Sequence, residues 1–497
     1  MRRLLAVLAV SLSSLSCASW FTTKTMLRDT KPPVPAFELA KLEKRADVDN
    51  GGGGKECADL LLRPRSIERF LDDKGKVFNV GVIELSDDGH VSDDPQKEAV
   101  LHEIREVAEK NKSAVIVTFV HGWHHRPKVC DNNMACFRRV LNTLSSNETR
   151  PVFGVYIGWR GDSLTKLTAL SFYDRKSTAH RIGHDGGREV LLALDELYRD
   201  LNKSIGEKHP VTLVTVGHSF GGALVYSASE GALVRELRNQ HVVGKPASNC
   251  GGQLMRPIRP GIGDLVVLVN PAFEAYRYRT FAEDLKTTGK YSDAQLPVLL
   301  TVASEGDDAV KKAFPAGRLL YFAFMPWRSH GISDILGAGH YDPQTTHDLV
   351  VVDGNNNQIH TPSPPKLDPP VASAEDRERC KLGDRDLATC ECEYAVPTHL
   401  GRTPEDEKRT LIERGFGTVA TAPNEGVSLR VRPPGNWDPN TPFLVARAAP
   451  EVIPAHSDIY TPRFVTFLTT YIGEFLKHSK QQEVSTGDES PCVSAAP

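Results

Sequence analysis

Between Val211 and Tyr226 the chain reads V-T-L-V-T-V-G-H-S-F-G-G-A-L-V-Y. Val211 to Val216 are apolar or β-branched, the pattern of a short buried strand. Ala223, Leu224 and Val225 open a small, apolar segment suited to a buried helix. Between them stands Gly217-His218-Ser219-Phe220-Gly221-Gly222. Strand, G-x-S-x-G, helix is the order of a nucleophile elbow. A serine in so tight a turn sits in strained backbone, so its neighbours two before and two after must lack bulk. The turn lifts the hydroxyl clear of the sheet, and the helix aims its N-terminal amides at developing negative charge. An ordinary tight turn with a surface serine shares the bare pattern. The flanking strand and the extra glycine argue against it.

Upstream, Ala114 to His125 reads A-V-I-V-T-F-V-H-G-W-H-H. Its first seven residues make a second buried-type strand, ending directly in His121-Gly122-Trp123. In chains with an elbow, such an H-G pair supplies a second oxyanion amide. The oxyanion of a tetrahedral intermediate needs two fixed N–H donors at about 3 Å, so backbone beside a glycine must approach closely. The N–H groups of Trp123 and Phe220 are the candidates. His121, His124 and His125 also raise the question of a metal, but no nearby carboxylate completes an H-E-x-x-H or comparable set. Pro151 to Ile157 forms another strand, followed by Gly158-Trp159-Arg160-Gly161-Asp162. Trp159 and Arg160 are candidate pocket residues; a packed Trp and a surface Arg are the plainer alternative. Gly187 to Leu201 carries Val190, Leu191, Leu194, Leu197, Tyr198 and Leu201, an amphipathic helix facing a core.

Apolar strands continue at 77–85, 264–269 and 296–303, alternating with helical segments such as 96–110. This predicts an α/β fold: an open, mostly parallel sheet with helices on both faces. Loops at the strand C-termini then gather the polar residues.

Together these residues resemble the α/β-hydrolase superfamily, in particular its lipase- and esterase-like serine hydrolases. The resemblance rests on His121-Gly122-Trp123 and on Gly217-His218-Ser219-Phe220-Gly221-Gly222, and covers roughly residues 75–350 and 440–478. It implies the chain order nucleophile, acid, histidine, with no metal or organic cofactor. The acid should follow a late strand. Asp307 fits best, four residues after Ala303 in a Gly-containing turn; Asp308 is the close alternative and Glu274 the outsider. The histidine has three candidates: His340 in G-A-G-H-Y-D, His347 in Q-T-T-H-D-L, and His456 in I-P-A-H-S-D-I-Y. His456 is favoured, because Phe443 to Ala448 reads as a last strand and Phe464 to Phe475 as a closing helix. His218 is read as an elbow residue whose side chain points away from Ser219.

The implied activity is cleavage of a small-molecule or lipid ester through Ser219, His456 and Asp307. A catalytically silent fold used for binding is the alternative class, and amide, thioester or acyl-transfer chemistry would use the same residues. Of 497 residues, 25% are charged and 40% hydrophobic, with a net charge of −3. That is globular composition with no basic run, so nucleic acid is not an expected partner. Met1-Arg2-Arg3, the apolar run Leu4 to Leu15 and Ser16-Cys17-Ala18 read as a secretory signal over 1–18, or as a lipoprotein signal with a membrane tether through Cys17. The expected location is therefore secreted, periplasmic or outer-membrane. Eight further cysteines suit disulfides in an oxidising compartment: Cys57, Cys130, Cys136, Cys250, Cys380, Cys390, Cys392 and Cys492. Cys130 and Cys136 are close enough to staple a local loop. The expected organisation is a flexible tether over 19–60, a core over 61–350 and a Cys-containing insertion or lid over 351–440. A last strand, histidine loop and closing helix then span 441–479, before a disordered tail over 480–497.

Overall fold

The computed structural model describes residues 28–31, 33, 35–38, 65–127, 129, 131–161, 168–206, 210–243, 261–288, 291, 295–315, 332–360, 418–422, 425–433, 437 and 441–486. The expected signal over 1–18 with Cys17, most of the expected tether, and every cysteine except Cys136 lie outside the described residues.

Twelve strands form one sheet among the described residues. In chain order they are β1 (Phe37–Glu38), β2 (Ile67–Leu71), β3 (Val77–Glu84), β4 (Ala114–Val120), β5 (Val152–Gly158) and β6 (Val211–His218). They continue with β7 (Leu265–Val269), β8 (Leu299–Ser304), β9 (His347–Asp353), β10 (Thr418–Ala422), β11 (Glu425–Val431) and β12 (Phe443–Ala448). Their spatial order is β1-β2-β3-β5-β4-β6-β7-β8-β12-β9-β11-β10. Every neighbouring pair from β3 to β9 is parallel; only β2–β3, β9–β11 and β10–β11 are antiparallel. The sheet is therefore mostly parallel, as the alternating apolar runs predict.

The period-two alternation of each strand splits its side chains between two cores. On β4, Ile116 and Val120 join one apolar cluster while Val115, Val117 and Phe119 join the other. The first is closed by helices α1 (Asp94–Asn111), α4 (Gly186–Ile205) and α5 (Phe220–Val243), through residues such as Ile104, Leu194 and Leu224. The second is closed by α2 (Asn132–Asn147) and α7 (Pro462–Thr486), through Phe137, Leu141, Phe464 and Phe467. Each such buried side chain contributes about 1.5–3 kcal/mol. Helices α3 (Thr168–His184) and α6 (Arg279–Thr288) complete the set among the described residues.

Register decides what meets at the sheet's C-terminal edge. Val120 of β4 lies opposite Gly217 of β6, His218 opposite Val269 of β7, and Ser304 of β8 opposite Ala448 of β12. The loops that follow these strands therefore leave side by side, beside the point where the chain crosses back over β4 from β5 to β6. Polar sites in parallel sheets gather at such a place.

Two boundaries differ from the sequence reading. β9 runs across residue 350, and β10 and β11 form a hairpin that pairs with it, so the described part of 351–440 extends the sheet. Residues 361–417 lie outside the described residues. The closing helix reaches Thr486, beyond the expected end at 479. Within the expected tether, Arg28 is buried, donates to Glu68 at 2.5 Å and to the Pro127 carbonyl, and so ties this segment to the body.

Candidate active site

Ser219 follows the last residue of β6 and adopts φ 57°, the left-handed region rarely open to a side chain. The strain is held on both sides. Its N–H donates to the Val269 carbonyl at 3.1 Å, and its own carbonyl accepts from Ala223 and Ala272. Gly221 is obligatory: a Cβ there would sit 2.1 Å from the Val120 carbonyl oxygen.

His456 lies on the loop between β12 and α7. Its Nε2 is 2.7 Å from Ser219 Oγ, and its Nδ1 is 2.7 Å from Asp307 Oδ2. Asp307 closes the turn after β8, is fully buried, and accepts the Val310 N–H at 2.9 Å through its other oxygen. Burial works to raise its carboxyl, but the hydrogen bond and charge of His456 outweigh this and hold it below the usual range. An ionised carboxylate accepts a hydrogen bond from Nδ1–H, which leaves Nε2 bare to accept one from the serine hydroxyl. Ser219 is 3% exposed, while the His456 side chain keeps 21% of its surface open.

The loop after β4 runs against the serine: a Cβ on Gly122 would lie 2.8 Å from Ser219 Cβ. His121 sets this loop. It is fully buried, and burial pushes its imidazole down to about 4, so it is neutral at physiological pH. Its Nε2 accepts the Trp159 N–H at 3.1 Å, so the proton is on Nδ1, which donates to the Gly122 carbonyl at 2.9 Å. A trans peptide points its N–H opposite its C=O, so the Trp123 N–H faces away from the His121 ring. Phe220 opens α5, and the helix dipole adds positive potential at its amide.

The structure brings Ser219, His456 and Asp307 into one hydrogen-bonded chain and sets Trp123 and Phe220 beside it. Asp308 is turned outward and pairs with Lys312. Glu274 is buried against Lys176. His347 lies within β9, bonded to the Thr346 hydroxyl. His340 sits close enough to Asp307 to feel its charge but makes no hydrogen bond to it.

Trp159 and Arg160, read as pocket candidates, have other partners. Trp159 is 1% exposed, stacks on His121, and donates its Nε1–H to the His121 carbonyl at 2.9 Å. Arg160 is drawn aside by Asp87. Gly161 approaches so closely that a Cβ would lie 2.5 Å from the Gly122 carbonyl. This loop is thus a buttress for residues 121–125. Sequence reasoning missed one further residue, Asn270 at the end of β7. Its only signal was a polar residue, followed by Pro271, closing an apolar strand. Among the described residues no group of three or more His, Cys, Asp or Glu side chains could hold a metal.

No protein-family model matches the chain. No curated protein matches it either. Among solved structures, Trichoderma reesei cutinase in complex with a C11Y4 phosphonate inhibitor aligns at 13% identity and a TM-score of 0.18, over 42% of this chain and 77% of that one.

Proposed function

We propose that this chain is a serine hydrolase of the α/β-hydrolase kind that cleaves a carboxylic ester through a Ser219–His456–Asp307 triad. The carrying observation is the unbroken hydrogen-bonded path from Ser219 Oγ through both nitrogens of His456 to a buried carboxylate. The strained elbow and the order Ser, Asp, His along the chain support the same reading.

In this reading His456 Nε2 takes the Ser219 proton as Oγ bonds to the ester carbonyl carbon. The carbonyl oxygen becomes an oxyanion facing the N–H groups of Trp123 and Phe220, each worth roughly 3 kcal/mol in the transition state. Collapse breaks the bond to the alkoxide, which leaves with the proton from His456. Water, deprotonated by the same nitrogen, then attacks the acyl carbon; the C–Oγ bond breaks, the acid leaves, and His456 returns the proton to Ser219. Asp307 stays ionised and steadies the imidazolium. Export of the chain, with or without a lipid on Cys17, belongs to the same proposal. It rests on the N-terminal pattern and on the disulfide at Cys136, which suits an oxidising compartment.

The test is labelling with a fluorophosphonate, followed by a panel of p-nitrophenyl esters of graded chain length. The parent should be labelled and active, and Ser219→Ala should lose both. A Ser219→Ala protein as active as the parent would overturn the mechanism. A folded parent that neither labels nor turns over would favour a silent binding fold.

A further inference from the structure

The His456 loop leaves β12 and reaches α7 with neither strand nor helix to fix the imidazole. A carboxylate on Nδ1 restrains the ring but not the backbone that carries it. Two neutral donors do. Asn270 Nδ2 and His218 Nε2 both lie 2.9 Å from the carbonyl oxygen of His456. We propose that Asn270 and His218 form a two-donor clamp on the His456 carbonyl and act as the positioning residues that hold the imidazole in line with the serine. This rests on the serine-hydrolase reading above and deepens it.

The parts around the clamp fit that role. Asn270 is fully buried and left-handed, at φ 44°. Asparagine tolerates that conformation better than most residues, and a backbone outlier of this kind is a pointer to function. Its N–H is held by the Val302 carbonyl, and its Oδ1 accepts the Ser304 N–H at 2.8 Å, leaving Nδ2 aimed at the loop. One side chain thus joins β7, β8 and the histidine loop. Two residues on, the Ala272 N–H holds the Ser219 carbonyl.

His218 is covalently next to the nucleophile, so its bond ties base and nucleophile into one short rigid circuit. The other face of its ring lies by the Gly122 backbone, where Nδ1 has no partner among the described residues. Burial, followed by the nearby charge of His456, pushes the His218 imidazole down to about 3. It therefore stays neutral with its one proton on Nε2, the nitrogen that faces the carbonyl. Elsewhere the loop is pinned by Ser304, whose hydroxyl donates to the Ile453 carbonyl. The Asn270 and His218 bonds are those made at His456 itself.

The experiment measures phosphonylation of Ser219 by a soluble alkyl fluorophosphonate, resolved into maximal rate and half-saturating concentration and expressed per folded molecule. Asn270→Asp keeps the acceptor for Ser304 and the left-handed backbone but puts a lone pair where the donor stood. His218→Leu removes the second donor, whereas His218→Gln carries an amide N–H to a similar reach. Asn270→Asp and His218→Leu should each lower the maximal rate about ten- to a hundredfold, the size of effect expected of a displacement near 1 Å. The half-saturating concentration should stay within about twofold. His218→Gln should recover most of the rate. A merely structural role would lower the melting temperature and leave the rate per folded molecule unchanged. Either loss variant reacting at the parental rate, or His218→Gln failing as badly as His218→Leu, overturns the clamp. A parent that is not labelled at Ser219 removes the hydrolase reading first, a result distinct from a labelled parent with equally fast variants.

Discussion

Two adjacent aspartates, 307 and 308, share a turn yet meet different surroundings. Asp307 faces inward to His456 and Val310, and Asp308 faces out to Lys312. Asp307→Asn should lower ester turnover about 10³–10⁴-fold, because the amide stabilises the wrong imidazole tautomer and no imidazolium. Asp308→Asn should stay within about twofold, as expected for an exposed ion pair. Steady-state kinetics on one p-nitrophenyl ester decides this; equal losses in the two variants would remove Asp307 from its role. The pH dependence follows from the same bond. Because the Asp307 carboxyl is held below its usual range, its ionised form, and the stability it brings, persist above the ordinary carboxylate value. That contribution is lost only as pH falls through the lowered value.

The strand-to-helix turn works by exclusion of bulk. Gly221 lets α5 start against the end of β4, where any side chain meets the Val120 carbonyl. Gly221→Ala forces backbone to move and should cost roughly 2–4 kcal/mol, read as a fall in melting temperature. Gly122→Ala is different, since the clash is with Ser219 Cβ itself. It should cut turnover per folded molecule at least tenfold, by pushing the donor loop off the serine. An active Gly122→Ala would mean the loop does not serve the oxyanion. The strands that carry these turns were legible because each is a continuous apolar run buried on both faces. The edge was not. β9 mixes charge with its apolar residues, and its hairpin partners come some seventy residues later, so no local pattern joins them. Helix α2 does carry a local signal, because its buried Met134, Phe137, Leu141 and Leu144 keep helical spacing, and the sequence reading did not use it.

Across the molecule, charge is buried in two contrasting ways. Glu68 is fully buried between Arg28 and Arg138, both within hydrogen-bond reach, and is held ionised against the cost of burial. Glu84, at the end of β3, is also buried, and the pull of Arg28 and Gln96 on its carboxylate does not offset the cost of burial. Burial pushes it up to about 7. Its folded value lies above its unfolded one, so the folded state holds the extra proton between the two and loses stability as pH rises through that window. Glu84→Gln should therefore gain about 1–3 kcal/mol over the parent at pH 8 and little at pH 4, measured by urea melts at both. Parallel pH–stability curves for the two proteins would show that Glu84 carries no such cost.

Apolar runs, glycine spacing and the polar residues that close each strand are local properties, and they were enough to read an α/β sheet and to single out Ser219, His121-Gly122-Trp123 and the late aspartates. The strand–loop–helix order around His456 favoured it over His340 and His347, but the bonds it makes are of another kind. Ser219 and His456 stand 237 positions apart, and Asp307 and His456 stand 149 apart. No pattern along a chain encodes a hydrogen bond across such a gap. It arises where the parallel register of β6, β7, β8 and β12 brings their ends to one edge and a buried asparagine and histidine catch the passing loop by its carbonyl.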